Sequence, residues 1–111
     1  MLNQLVGLER VFHALSDTAR LSMLERLSTG PASVSELAQP LAMTLSAVVQ
    51  HLQVLEGSGL VRSEKRGRVR TCHLETEAMQ RAEAWLIGRR ANWEQRLEAL
   101  GQYLENGASG D

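Results

Sequence analysis

Residues 35–57 read SELAQPLAMTLSAVVQHLQVLEG, and two short helical patterns meet there with almost nothing between them. Ser35 offers its side-chain oxygen to a free amide of a first turn, so a short helix is predicted through Glu36, Leu37, Ala38 and Leu41. Thr44 does the same for a second helix, which carries Val48, Leu52, Val54 and Leu55 and is closed by Gly57 and Gly59. The connection around Ala42-Met43 is too short for a strand or a long loop. Two short helices with apolar inner faces and a tight join describe a helix-turn-helix.

Downstream, residues 60–74 read LVRSEKRGRVRTCHL. This predicts two short strands, about 60–65 and 69–74, turning at Arg66-Gly67-Arg68, where Gly67 supplies the positive φ of a tight hairpin. A lone hairpin is marginal in water and must pack on something. Beside a helix-turn-helix it is a wing. Upstream, Leu2, Leu5, Val6, Leu8, Val11, Phe12 and Leu15 recur at helical spacing, giving a helix from about 2 to 15. Ser16-Asp17 caps the next helix, which carries Leu21, Met23, Leu24 and Leu27 and ends at Gly30-Pro31. Thr76 caps a long last helix, about 77–105, with Met79, Ala82, Leu86, Trp93, Leu97, Leu100 and Leu104 as its apolar stripe. The expected fold is mainly α, a winged helix of α+β type. It has five helices and a two-stranded wing in the order α-α-α-α-β-β-α. It fills one domain over about 1–105, with 106–111 as a disordered tail.

The chain has 111 residues, 43% hydrophobic, and a formal net charge of −1. That total hides a polarity: Arg62, Lys65, Arg66, Arg68 and Arg70 cluster against Glu64, whereas the end from Glu75 onward is acidic. A phosphate-binding surface needs local charge, not a basic total. No apolar run approaches the roughly 20 residues that span a bilayer. The start, MLNQLVGLER, lacks a basic leader region and a cleavage site, so a cytoplasmic protein is expected. There is no GxSxG, phosphate-cradling glycine loop, metal triad or paired nucleophile and base, so neither enzymatic activity nor a cofactor is expected.

Three pieces of sequence carry a resemblance: ALSDTARLSML (14–24), SVSELA (33–38) and HLQVLEGSGLV (51–61). With the residues between them they make the span from about 11 to 74 resemble the ArsR/SmtB family of bacterial winged-helix repressors. Thr18 stands where many members have proline, a change that costs only pre-organised φ. The resemblance implies an obligate dimer on a palindromic operator, joined through the first and last helices. It also implies places to look for metal ligands, and these are bare. The short helix with Glu36 and Leu37 has no cysteine, the last helix has no histidine, and His13, His51 and His73 are scattered. No metal is expected.

On this reading the partner is double-stranded DNA. The recognition helix presents Thr44, Leu45, Ser46, Ala47, Val49, Gln50, His51 and Gln53. Gln50 suits adenine, and Ala47 or Val49 suits a thymine methyl. His51 resembles a histidine frequent in the family, which orients the helix or touches a phosphate. No formal charge lies between Met43 and Leu55, so readout biased toward A·T pairs is expected. Arg66 and Arg68 are placed at the minor groove, Arg62 and Lys65 at phosphates, with Arg70 in the same cluster and Arg20 as a further phosphate candidate. Leu2, Leu5, Leu8, Phe12, Trp85, Trp93, Leu97, Leu100 and Leu104 exceed what one small domain covers, and pairing of two copies buries them. An effector pocket at the tryptophans stays open as a second reading, and the effector itself is unknown. Period-two alternation puts Cys72 on the same face as Leu74, which predicts a buried thiol. The expected function is a homodimeric repressor, autoregulation included. The alternatives are a winged-helix protein-interaction module and a redox or small-molecule-responsive regulator of the same fold.

Overall fold

A computed structural model describes residues 2–109. Its elements are α1 (Leu2–Leu15), α2 (Thr18–Leu27), β1 (Ala32–Ser33), α3 (Val34–Ala38), α4 (Leu45–Gly57), β2 (Val61–Arg66), β3 (Val69–Leu74) and α5 (Thr76–Ser109). The five helices and the hairpin fall where the periodicity places them. The sheet has one strand more than expected, in the order β1-β3-β2. Ala32 lies opposite Cys72 and Ser33 opposite Thr71. Two residues are too few to show an alternation, but they pair the edge of β3 that a bare hairpin would leave open.

Local chemistry sets the boundaries. Asp17 caps α2 by accepting from the Arg20 N–H at 3.0 Å. The cap of α3 is Ser33, not Ser35. Ser33 Oγ accepts from Glu36 N–H at 3.1 Å, and Glu36 Oε1 accepts from Ser33 N–H at 3.3 Å. This reciprocal box needs an acid three residues after the cap, and only Ser33 has one. Thr44 caps α4, its Oγ1 accepting from Ala47 N–H at 3.1 Å. Gly59 at φ +83° and Gly67 at φ +62° take the left-handed conformation, one just past α4 and one in the hairpin turn. Thr76 is the first residue of α5 and not its cap. Helix α5 runs on through residues 106–109, where a disordered tail was expected. Extending an existing helix costs far less than starting one, so weak formers at its end still join it. Residues 110–111 of that tail lie outside the described residues.

The core joins Val11 and Ala14 of α1, Met23 and Leu27 of α2, Leu37 of α3, Val48, Leu52 and Leu55 of α4, and Leu60, Val61 and Cys72 of the wing. Helix α5 adds Ala78 and Ala82, the buried residues of that helix among those described. Small side chains let its first two turns lie close against the body. Beyond them Phe12 and Trp85 meet edge to face at 5.7 Å. The rest of the 34-residue helix continues past the body, which stretches the molecule to 76 × 31 × 22 Å.

Candidate nucleic-acid interface

Helix α4 divides cleanly between core and solvent. Val48, Leu52 and Leu55 are buried at helical spacing. The opposite side exposes Leu45, Ser46, Val49, Gln50 and Gln53, with Ala47 and His51 half-buried beside them. Leu45 is 57% exposed, costly for a leucine unless something apolar meets it. Thr44 sits at the cap, so the outer face begins at the free end of the helix.

The wing has two faces, because residues opposite one another across an antiparallel pair share a side. Val61, Ser63 and Lys65 share a side with Leu74, Cys72 and Arg70. On that side Ser63 Oγ donates to Glu56 Oε1 of α4, and Arg70 Nη1 donates to Ser63 Oγ at 2.9 Å. The wing is thereby tied to the last turn of the recognition helix. On the other side Arg62 Nε donates to Glu75 Oε1 at 2.7 Å, and Arg62 Nη1 lies 3.9 Å from Glu64 Oε1. The Glu75 carboxylate holds the Arg62 pKa above its ordinary value.

The five wing cations therefore divide. Arg62 and Arg70, placed in the phosphate-binding cluster by their sequence neighbourhood, are engaged within the protein. Lys65, Arg66 and Arg68 are exposed and have no hydrogen bond or ion pair among the described residues. Arg66 and Arg68 flank the turn glycine, and Lys65 stands directly opposite Arg70. Like charges across a strand pair repel, which leaves the tip short of anions.

Arg20 departs most from expectation. It is only 8% exposed, so it does not present its charge to a phosphate. Its Nε donates to Ala14 O at 2.8 Å, its Nη2 to His13 O at 3.0 Å, and its Nη1 meets His51 Nδ1 at 3.1 Å. The end of α1, the start of α2 and the middle of α4 are joined at this one side chain. Asp17 Oδ2 lies 3.7 Å from the same His51 nitrogen. The Asp17 carboxyl is held below its ordinary pKa, first by the Arg20 backbone N–H it accepts and then by the nearby positive charge.

The residues assigned to self-association also separate. Leu8 and Phe12 pack on the core, and Trp85 leans on Phe12 with Arg89 above its ring at 5.8 Å. Leu2, Leu5, Trp93, Leu97, Leu100 and Leu104 stay exposed, Leu2 at 74% and Trp93 at 62%. An open cleft of about 520 Å³ runs beside Trp85, lined by Asn3, Gln4, Leu8 and Arg81 among others. Cys72 is fully buried, and loss of hydration pushes its thiol pKa up, which disfavours the reactive thiolate. Among the described residues no three His, Cys, Asp or Glu side chains gather as a metal site, and no helix is long and apolar enough to cross a membrane.

The sequence reading missed Glu56 and Ser63, which lock wing to helix. They are seven residues apart on different elements, and no local spacing announces them.

Known proteins match this arrangement. Residues 15–64 match a helix-turn-helix domain family. The chain is 40% identical over 67 residues to the HTH-type transcriptional regulator Rv2034 of Mycobacterium tuberculosis; the match covers 60% of the chain and 63% of that protein, under two thirds of its length. A crystal structure of an ArsR family transcriptional regulator, RHA00566, superposes with a TM-score of 0.76 at 47% identity, over 85% of this chain and 94% of that one. A third likeness is the homodimeric winged helix-turn-helix DNA-binding domain of a possible ArsR-family regulator from Mycobacterium bovis. Its TM-score is 0.61 at 27% identity, over 81% of this chain and 82% of that one.

Proposed function

We propose, on the premise that this chain belongs to the ArsR family of winged helix-turn-helix transcriptional regulators, that it is a repressor which binds a palindromic operator as a homodimer in the cytoplasm. The observation that carries this reading is the pairing, in one chain, of an uncharged, outward reading face on α4 with an unneutralised cationic tip at Arg66 and Arg68. The first suits base edges, and the second suits the backbone or a narrow minor groove. A chain with no further domain to contact a polymerase acts most simply by occupying a promoter.

Two observations support the dimer. The outer helices expose Leu2, Leu5, Trp93, Leu97, Leu100 and Leu104, and the M. bovis domain of the same fold is homodimeric. A two-fold axis would give each copy one half-site. Autoregulation follows if the operator lies upstream of its own gene.

Footprinting on that upstream DNA, repeated across a dilution series, tests the proposal. Protection of two symmetric half-sites that fades as the dimer dissociates is the expected result. A stable monomer with no affinity for any duplex at low salt would overturn it.

A further inference from the structure

The contact between Arg20 and His51 constrains a proton. An arginine side chain has five N–H donors and no acceptor. At 3.1 Å from Arg20 Nη1, His51 Nδ1 is within hydrogen-bond distance and must be the acceptor. An accepting Nδ1 carries no hydrogen. A neutral imidazole then has its one N–H on Nε2, on the far side of the ring. The competing arrangement would put the hydrogen on Nδ1 and donate it to Asp17. That oxygen is 3.7 Å away, outside hydrogen-bond reach, and already accepts from the Arg20 backbone N–H at 3.0 Å. Arg20 cannot easily turn away, because its other nitrogens hold the carbonyls of Ala14 and His13. The ring is therefore addressed by a buried, doubly anchored donor.

His51 Nε2 has no hydrogen-bond partner among the described residues and is not a buried atom. The side chain is 22% exposed and lies next to Gln50 on the recognition helix. Phosphate oxygens only accept hydrogen bonds, so a ring that meets the DNA backbone must present a donor.

We propose that Arg20 is a positioning residue: it fixes His51 in the Nε2–H tautomer, so that the ring offers a neutral donor to a backbone phosphate when α4 enters the groove. This rests on the DNA-binding reading above and adds to it the proton that the contact requires. A buried arginine thus acts at the interface without touching DNA, through the tautomer of its neighbour.

Long-range 1H–15N spectra of the histidine rings in the full chain test the first half. A bare Nδ1 and a protonated Nε2 at His51 are expected. Arg20→Met should leave His51 averaging between tautomers while His13 and His73 are unchanged. The wild-type spectrum needs no variant, so poor folding of Arg20→Met would not remove the test. Titration with operator DNA tests the second half. The amide nitrogen of glutamine reaches about as far as Nε2, and that of asparagine about as far as Nδ1. His51→Gln should keep affinity within about threefold, whereas His51→Asn and His51→Ala should lose about tenfold, the worth of one hydrogen bond to a charged group. A protonated Nδ1 in the wild type, or equal affinities for His51→Gln and His51→Asn, would overturn the proposal. Absence of duplex binding by the wild-type chain would instead overturn the DNA-binding reading itself.

Discussion

Helix α4 and the hairpin β2–β3 are neighbours in sequence and are bonded through Glu56 and Ser63, yet they are chemically opposite. Between Met43 and Leu55 the helix has no formal charge, and its exposed residues are leucine, serine, valine and glutamine. The hairpin concentrates Lys65, Arg66 and Arg68 at its tip, and none of the three has an anionic partner among the described residues. The difference teaches that grip and discrimination sit in separate elements here. The cationic element supplies attraction that salt screens, and the uncharged one supplies contacts that depend on base identity.

The largest test removes the grip. Arg66→Ala combined with Arg68→Ala should lower operator affinity about tenfold to a hundredfold near physiological salt. The slope of log affinity against log salt should fall by about two, one for each lost phosphate contact. Binding measured across a salt series checks this, and an unchanged slope would remove the wing from the interface.

Next in size is discrimination. Gln50→Ala should cost about 1–3 kcal/mol at a single A·T position and leave the salt slope as it was. Competition between operator variants reads this directly. A strong G·C requirement beneath α4 would contradict the uncharged reading face.

Smaller again is the cap. Thr44→Ala removes the acceptor for Ala47 N–H and should destabilise the fold by about 1 kcal/mol in urea unfolding, while Thr44→Ser should not.

The smallest effect is electrostatic. The Asp17 carboxyl titrates below its ordinary 3.8 in the folded chain, so folding favours its ionised form. Its contribution is complete above that ordinary value and is lost as pH falls through the lower folded one. Stability curves of the wild type and Asp17→Asn should therefore converge as acid is added. Parallel curves would show that Asp17 contributes nothing through its charge.

Much of this was legible from residue order because it is local. Thr44 before an apolar 3.6-residue period, and Gly67 between two alternating runs, each specify an element within a few residues. What escaped is held by contacts at longer range. Arg20 meets His51 31 residues away, and Arg62 meets Glu75 13 residues away. A cluster of basic letters gives no sign of which members are already paired. The misplaced cap of α3 was local, and the decisive signal was Glu36, which completes a box with Ser33 and has no such relation to Ser35. Strand β1 is two residues long, and only its partner β3 makes it visible.

The chain has two tryptophans, and they occupy unlike surroundings. Trp85 is braced by the Phe12 ring and the Arg89 guanidinium, while Trp93, two turns further along α5, stands largely in water. The molecule thus carries its own optical gauge: one indole with a fixed environment as internal reference, and one whose emission shifts to shorter wavelength whenever that bare stretch of helix is covered.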